Sequence, residues 1–258
     1  MPIITEPMVP KKWSGSLRKG QLQGVDKALE SRKITPKDFL VAGSTCMVFH
    51  HGNGQVIKVT TKGISALNEF KKQSVGSFQA LVNNDFKSIF LPINEVIYDD
   101  DNYFVYSQNK IRILDLPEIQ NNASIYCKIL EILRLMIVNK AITPDLISSN
   151  LGFDRGQLTL LDYHDIITFG AYHKKDKWIK VIRCLVEFTS WLLYGKGFEK
   201  QTGESLLDWK DPKVIKKADF GSKHFPAHFT DMFKAIAGGK PQEIINAITA
   251  CQAKVKGK

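Results

Sequence analysis

Residues 142–165, ITPDLISSNLGFDRGQLTLLDYHD, set Asp145 five positions before Asn150 and end in an apolar run that delivers Asp162. Two short apolar runs, NLGF and LTLLD, flank the polar tetrapeptide DRGQ, a pattern that predicts a hairpin with DRGQ as its turn. A hairpin returns Asn150 and Asp162 to the same edge, so three oxygen-bearing side chains, Asp145, Asn150 and Asp162, fall close together. Carboxylate and amide oxygens suit a hard cation such as Mg2+, which takes one or two carboxylates while phosphates complete its shell. The set is suited to a metal-bound nucleotide. Taken singly, each residue also has a plainer reading, Asp145 as the cap of a turn after Pro144 and Asn150 as an ordinary turn residue.

Upstream of this stretch, NNASIYCKILEILRLMIVNKAI is apolar nearly all round and predicts a helix buried in a lobe, with Asn122 or Ser124 as its cap. The residues before Pro117 read as strands instead. DFLVAG, CMVFHH and QVIKVT come first, with GNG closing the second hairpin, and FLPINEVIYDD and NYFVYSQ follow with DDDN as their turn. A helix over 65–82 separates the two groups, with Leu67, Phe70, Phe78 and Leu81 at helical spacing. Downstream, DKWIKVIRCLVEFTSWLLYG and PQEIINAITACQAKV predict further helices. A strand-rich half followed by a helix-rich half gives an α+β protein of two lobes, and a cleft between lobes is a natural ligand site. The expected division is an N-terminal arm over 1–38, lobes over 39–112 and 113–250, and a basic tail over 251–258, with both ends mobile.

Composition bounds the functional classes. A chain of 258 residues that is 43% hydrophobic and 24% charged is expected to be a soluble globular protein. The N-terminal MPIITEPMVPKKW lacks a charged segment followed by a long apolar one, and the most apolar helix contains Lys128, Glu131 and Arg134. Neither a signal peptide nor a membrane span is expected. Cys46, Cys127, Cys184 and Cys251 form no CxxC pair, which fits a reduced, cytoplasmic setting. From Ala171 onward 17 Lys or Arg stand against 9 Asp or Glu, a balance that favours acidic partners or phosphates, or simply makes a solvated basic surface.

Taken in order, these segments resemble the protein-kinase-like fold. DLISSN is similar to the family's catalytic-loop run of Asp, Leu and, five residues after the Asp, Asn; LLDYH stands where a strand and the metal-binding DFG motif belong. AGSTCMVFHH resembles a shortened Gly-rich loop with Val48 at that loop's valine, and VIKV resembles the third strand, with Lys58 as its phosphate-binding lysine. Glu69, the only acidic residue between Lys58 and Asn84, is the candidate for the helix glutamate that pairs with that lysine. The resemblance runs from Phe39 to Gly195. It implies ATP and Mg2+ as ligands and a protein Ser or Thr as acceptor. Asp145 then serves as catalytic residue together with Lys58 and Glu69, Asn150 and Asp162 hold metal, and Gly43, Ser44, Thr45, Val48 and Lys58 contact the nucleotide. Lys58 on an edge strand facing water, and Glu69 as a solvated helix residue, are the plainer alternatives.

The chain also departs from the family's pattern. Thr143 and Pro144 replace the usual His and Arg before the Asp, so control by activation-loop phosphorylation is not expected. Ile147 and Ser149 stand where many members place a Lys or Arg, and Tyr163 and His164 replace the Phe and Gly of DFG. The segment between Asp162 and Asp176 is short and lacks an Ala-Pro-Glu end, while Asp176 and Trp178 resemble the start of a central helix. The lobe reads as trimmed, like minimal kinases of viruses and bacterial effectors, which would place the protein in a host cytoplasm. A literal DFG at Asp219–Gly221 follows the basic KVIKKA and reads as a decoy.

Other chemistries find little support. There is no GxxxxGK[ST] loop, GxGxxG fingerprint or GxSxG elbow. His224 and His228 in HFPAH lack the glutamate of a metalloprotease helix, and Cys46 reads as a small filler. A pseudokinase that binds a partner without catalysis is the second reading. A basic nucleic-acid-binding module, resting on the net charge of +10 without a recognition signature, is a more distant third.

Overall fold

The computed structural model describes residues 2–10, 13, 22–43, 46–61, 89–120, 122–139, 141–142, 148–161, 167–168, 231–232, 234–236 and 240–256. The chain divides into two compact units, one of Met1–Lys87 with Leu91–Ile111 and the other of Ser88–Phe90 with Arg112–Lys258.

The first unit is built on a five-stranded antiparallel sheet of β1 (Phe39–Ala42), β2 (Cys46–His51), β3 (Gln55–Thr61), β4 (Ile93–Asp99) and β5 (Tyr103–Asn109), in the order β1-β2-β3-β5-β4. Local turn chemistry sets the hairpins. Asn53 and Gly54 adopt left-handed backbone (φ 62° and 72°) in the link from β2 to β3, as the GNG signal requires. In the β4–β5 turn one oxygen of Asp100 accepts from the backbone N–H of Asn102 (2.7 Å) and Tyr103 (2.6 Å), the Asx arrangement that favours aspartate in turns. Strand β4 starts at Ile93 rather than at Phe90. Pro92 lacks an N–H to give to a ladder, and Phe90 makes an isolated bridge to Leu160 within the second unit.

Described residues of the segment read from composition as a mobile N-terminal arm belong to the core of this unit. Ile3, Ile4, Trp13, Val25, Leu29 and Ile34 are buried against Met47, Phe49, Ile57, Val59, Tyr103 and Val105. Helix α1 (Gln23–Ser31) contributes Val25 and Leu29, one turn apart on its inner face. Gly24 lets α1 approach β4 closely, since a Cβ there would lie 2.2 Å from the Tyr98 hydroxyl oxygen. Arg32, just past the helix, forms an ion pair with Glu95 of β4.

In the second unit, β6 (Arg112–Ile113), β8 (Leu151–Asp154) and β9 (Gln157–Leu160) form one small sheet, and β7 (Ala141–Ile142) pairs with β10 (Ile167–Thr168). Helix α2 (Ala123–Val138) is the expected buried helix, with nine of its apolar side chains, from Ile125 to Ile137, withdrawn from water. Asn122 caps it, its side-chain oxygen accepting from the N–H of Ser124 (3.0 Å) and Ile125 (3.2 Å). Helix α3 (Pro241–Lys256) packs on α2 through Ile244, Ile248 and Cys251, and Gln252 Nε2 donates to the Cys127 carbonyl (3.1 Å). Residues 251–256, expected as a mobile tail, are therefore helical, because Cys251 continues the apolar stripe at the i, i+4, i+7 spacing. The expected helices over 65–82 and 176–195 lie outside the described residues.

Candidate functional site

Lys58 occupies the middle of β3, which lies between β2 and β5. The edge-strand alternative is thereby set aside. Directly paired residues of an antiparallel ladder share a face, and one row crosses all five strands: Val41, Val48, Lys58, Tyr106 and Val96. Lys58 is 9% exposed and Tyr106 fully buried, whereas Val41 and Val96 at the ends of the row are 54% and 41% exposed. The neighbouring rows on this face bring in Cys46 with Thr60 on one side and Val56 with Gln108 on the other. The buried polar side chains Lys58, Thr60 and Gln108 thus share one face, while Met47, Phe49, Ile57, Val59 and Val105 of the core point to the other. Gln108 Nε2 donates to the Leu91 carbonyl (2.9 Å).

A lysine withdrawn from water in the middle of a sheet is held by anionic or polar groups. The combination of one deep cation with partly exposed valines toward the β1 edge suits a ligand that joins an apolar ring to phosphate. Val41 and Tyr106 were not singled out from sequence. The signal was present, because the parity of FLVA and YFVY follows from Lys58 once the hairpin registers are assigned.

The β1–β2 link is tight. Ala42 pairs with Met47, and Gly43 N–H donates to the Cys46 carbonyl (2.8 Å), leaving two residues, Ser44 and Thr45, between them. A Cβ on Gly43 would meet only ordinary contacts, 3.5 Å to Cys46 Sγ and 3.7 Å to its carbonyl oxygen, so the turn itself does not require glycine there.

In the second unit the predicted hairpin is present. Leu151 pairs with Leu160 and Asp154 with Gln157, and the two turn residues, Arg155 (φ 50°) and Gly156 (φ 83°), both take the left-handed backbone of a two-residue hairpin loop. The ladder continues past the strands, since Leu161 N–H donates to the Asn150 carbonyl (2.9 Å). Asn150 ends a short 3-10 turn, Ser148–Asn150, and is half-buried. The far sides of the two flanking segments are also paired, Ile142 with Ile167 and Ala141 with Thr168. Segments 143–147 and 162–166 therefore lie in the chain between the Ile142–Ile167 pair and the Asn150–Leu161 hydrogen bond. Asp145 and Asp162 lie in those segments, outside the described residues, as do Ser44, Thr45, Glu69 and the Asp219–Gly221 tripeptide. Sequence reasoning missed the β7–β10 pair, whose strands are two residues each. Among the described residues no group of three or more His, Cys, Asp or Glu is placed to hold a metal ion.

No protein-family model matches the sequence, and no curated protein matches it. Among solved structures, the structure of vaccinia related kinase 3 is similar over 86% of this chain and 88% of its own, with a TM-score of 0.52 at 12% sequence identity. The fold is protein-kinase-like. It is an α+β, two-lobed fold with a strand-rich N-lobe and a helical C-lobe; in this kinase-like frame Lys58 lies on the third strand of the N-lobe sheet and Asn150 opens the hairpin of the C-lobe. Among the described residues no helix is long and apolar enough to cross a membrane.

Proposed function

We propose that this chain is an atypical kinase that transfers the γ-phosphoryl group of ATP to a Ser or Thr hydroxyl of a protein, in the cytoplasm, and that it is of the trimmed type found among viral and bacterial-effector kinases. The observation that supports this most strongly is the row Val41, Val48, Lys58, Tyr106 and Val96 on the sheet of a kinase-like lobe. Val41 and Val48 offer apolar contact to a base, and the Lys58 ammonium neutralises phosphate oxygens. Glu69 is the residue that fixes Lys58.

The donor set also fits Mg2+, because Asn150 offers an amide oxygen and Asp162, one residue beyond the Leu161 to Asn150 hydrogen bond, a carboxylate. Mg2+ when bound neutralises charge on the phosphates. Asp145 orients the acceptor hydroxyl and takes its proton as the oxygen attacks phosphorus. Backbone amides of Gly43, Ser44 and Thr45 cover the phosphates.

The second reading is a pseudokinase. It is favoured by Ile147 and Ser149, which stand where many kinases have a Lys or Arg, and by a β1–β2 link of only two residues beyond Gly43 and before Cys46. A nucleic-acid-binding module rests on net charge alone.

Thermal unfolding with and without Mg2+-ATP tests the site. A ligand that binds only the folded state stabilises it by mass action, by about 2.7 kcal/mol at a hundred times Kd. Wild type and Asp219→Asn should both show the shift and Asp162→Asn should lose it; a shift lost in Asp219→Asn and kept in Asp162→Asn would place the metal site at the literal DFG instead.

A further inference from the structure

The face of β3 and β5 that looks away from Lys58 is covered by Ile3, Ile4, Trp13, Val25, Leu29 and Ile34. Ile3 and Ile4 are each 6% exposed, Trp13, Val25 and Leu29 are fully buried, and all share one cluster with Ile57, Val59, Tyr103 and Val105. Ile57 and Val59 are the residues on either side of Lys58, so the same three-residue piece of β3 presents Lys58 to one face and two core side chains to the other. One oxygen of Asp26 accepts from the backbone N–H of both Ile3 (3.2 Å) and Ile4 (3.0 Å), and Trp13 N–H donates to the Pro10 carbonyl (2.8 Å). The Trp13 ring packs on Tyr103, with centroids 5.8 Å apart and planes inclined at 52°. Tyr103 in turn pairs with Thr61 at the end of β3.

From this arrangement we propose that residues 2–10 together with Trp13 form a built-in strap, anchored by Trp13, whose docked state positions Lys58; the inference rests on the reading of the Lys58 face as the nucleotide site. A strand packed on both faces in a close-packed interior shifts only when one layer yields. The layer opposite Lys58 is supplied by this segment and α1, and Trp13 is its largest fully buried side chain. Loosening the strap frees Ile57 and Val59 to move and moves the Lys58 amine with them. Small displacements of a group that meets reacting phosphates have large effects on function. Trp13 is on this account a positioning residue and touches no ligand.

The test uses the full chain carrying Trp13→Ala or Trp13→Phe, read by amide hydrogen exchange and by the affinity for Mg2+-ATP. Exchange reports local opening of each element separately. For Trp13→Ala, exchange in β3 and β5 should rise by roughly tenfold or more while α2 and α3 stay as in wild type, and Mg2+-ATP affinity should fall about tenfold. Trp13→Phe, which keeps an aromatic anchor, should remain near wild type in both. Unchanged exchange in β3 together with unchanged affinity would overturn the proposal, and so would an equal rise in both units, which would make Trp13 a contributor to overall stability only. If Trp13→Ala does not fold, Ile4→Ala is judged by the same two measurements against the same outcomes. If wild type binds no Mg2+-ATP while Trp13→Ala still opens β3, the nucleotide reading falls and the hold of the strap on β3 stands.

Discussion

Lys58 and Tyr106 stand directly opposite each other across β3 and β5, with Val48 on the other side of the lysine. Lys58 is 9% exposed, and a charge taken out of water costs about as much as its pairing returns, so the ammonium does little for stability. Lys58→Met, which keeps the length of the side chain and removes the charge, should leave the melting temperature unchanged or raise it. Nucleotide affinity should fall by about 1.5–3 kcal/mol, the usual worth of a hydrogen bond to a charged group, or roughly tenfold to a hundredfold. Calorimetric titration and thermal melts on the same samples check both halves; a large drop in melting temperature with affinity retained would make Lys58 a structural residue.

Gly24 and Tyr98 give a case in which two principles disagree in sign. Helix propensity favours alanine over glycine by about 1 kcal/mol inside a helix. The added Cβ, however, would lie 2.2 Å from the Tyr98 hydroxyl oxygen, and that hydroxyl is held by Asp100 (2.6 Å), the residue that also organises the β4–β5 turn. Overpacking of this kind costs about 1–3 kcal/mol. Packing should win, so Gly24→Ala should lower stability by about 1 kcal/mol in denaturant melts. A stabilised Gly24→Ala would show that α1 does not sit against Tyr98.

The cap of α2 is assigned to Asn122 rather than Ser124. Asn122→Ala should cost about 1 kcal/mol, within the range of roughly 0.5–2 for lost N-caps, and Ser124→Ala should be close to neutral. Chemical denaturation of the two variants separates the residues, and equal losses would contradict the assignment.

Burial, and secondarily the neighbouring Cys127 thiol, pushes the Cys251 thiol from its ordinary 9.0 up to about 12. The group stays protonated in the folded chain at pH values where the unfolded chain has lost the proton. Stability therefore declines as pH rises from 9.0 toward about 12, and below 9.0 this group makes no difference. Cys251→Ala should flatten the alkaline decline measured by denaturant melts across that window. A thiol reagent at pH 8 should label the half-exposed Cys46 and spare Cys251 until the chain unfolds.

What sequence could show depended on how local the cause was. The GNG, DDDN and DRGQ turns place their own left-handed or Asx residues, so three hairpins were legible from a few residues each. Helix α2 was legible because its apolar residues are dense. The N-terminal layer was not. Ile3, Ile4, Trp13, Val25 and Leu29 are sparse among Lys, Ser and Gly, and their burial depends on a sheet face made by residues 39–109, which no local window contains. The β7–β10 pair joins strands separated by more than twenty residues and is two residues long, too short for periodicity to show. For the site, the spacing of Asp145, Asn150 and Asp162 and the apolar setting of Lys58 were visible at once. The row that puts Val41 and Tyr106 beside Lys58 required the strand registers.

Phosphoryl transfer itself is the most direct measurement. Purified wild type and Asp145→Ala are incubated with Mg2+ and ATP labelled at the γ-phosphate, with the protein alone and with a mixed cell lysate as acceptor, and bound nucleotide is measured in parallel. A catalytic carboxylate acts chiefly in the transition state. Wild type should transfer label to Ser or Thr, and Asp145→Ala should bind Mg2+-ATP nearly as well while transfer falls by about two to four orders of magnitude, the usual contribution of a general base. Labelling that persists undiminished in Asp145→Ala would contradict the role given to that residue, and nucleotide binding by wild type with no labelling in either setting would contradict catalysis and leave the pseudokinase reading in its place.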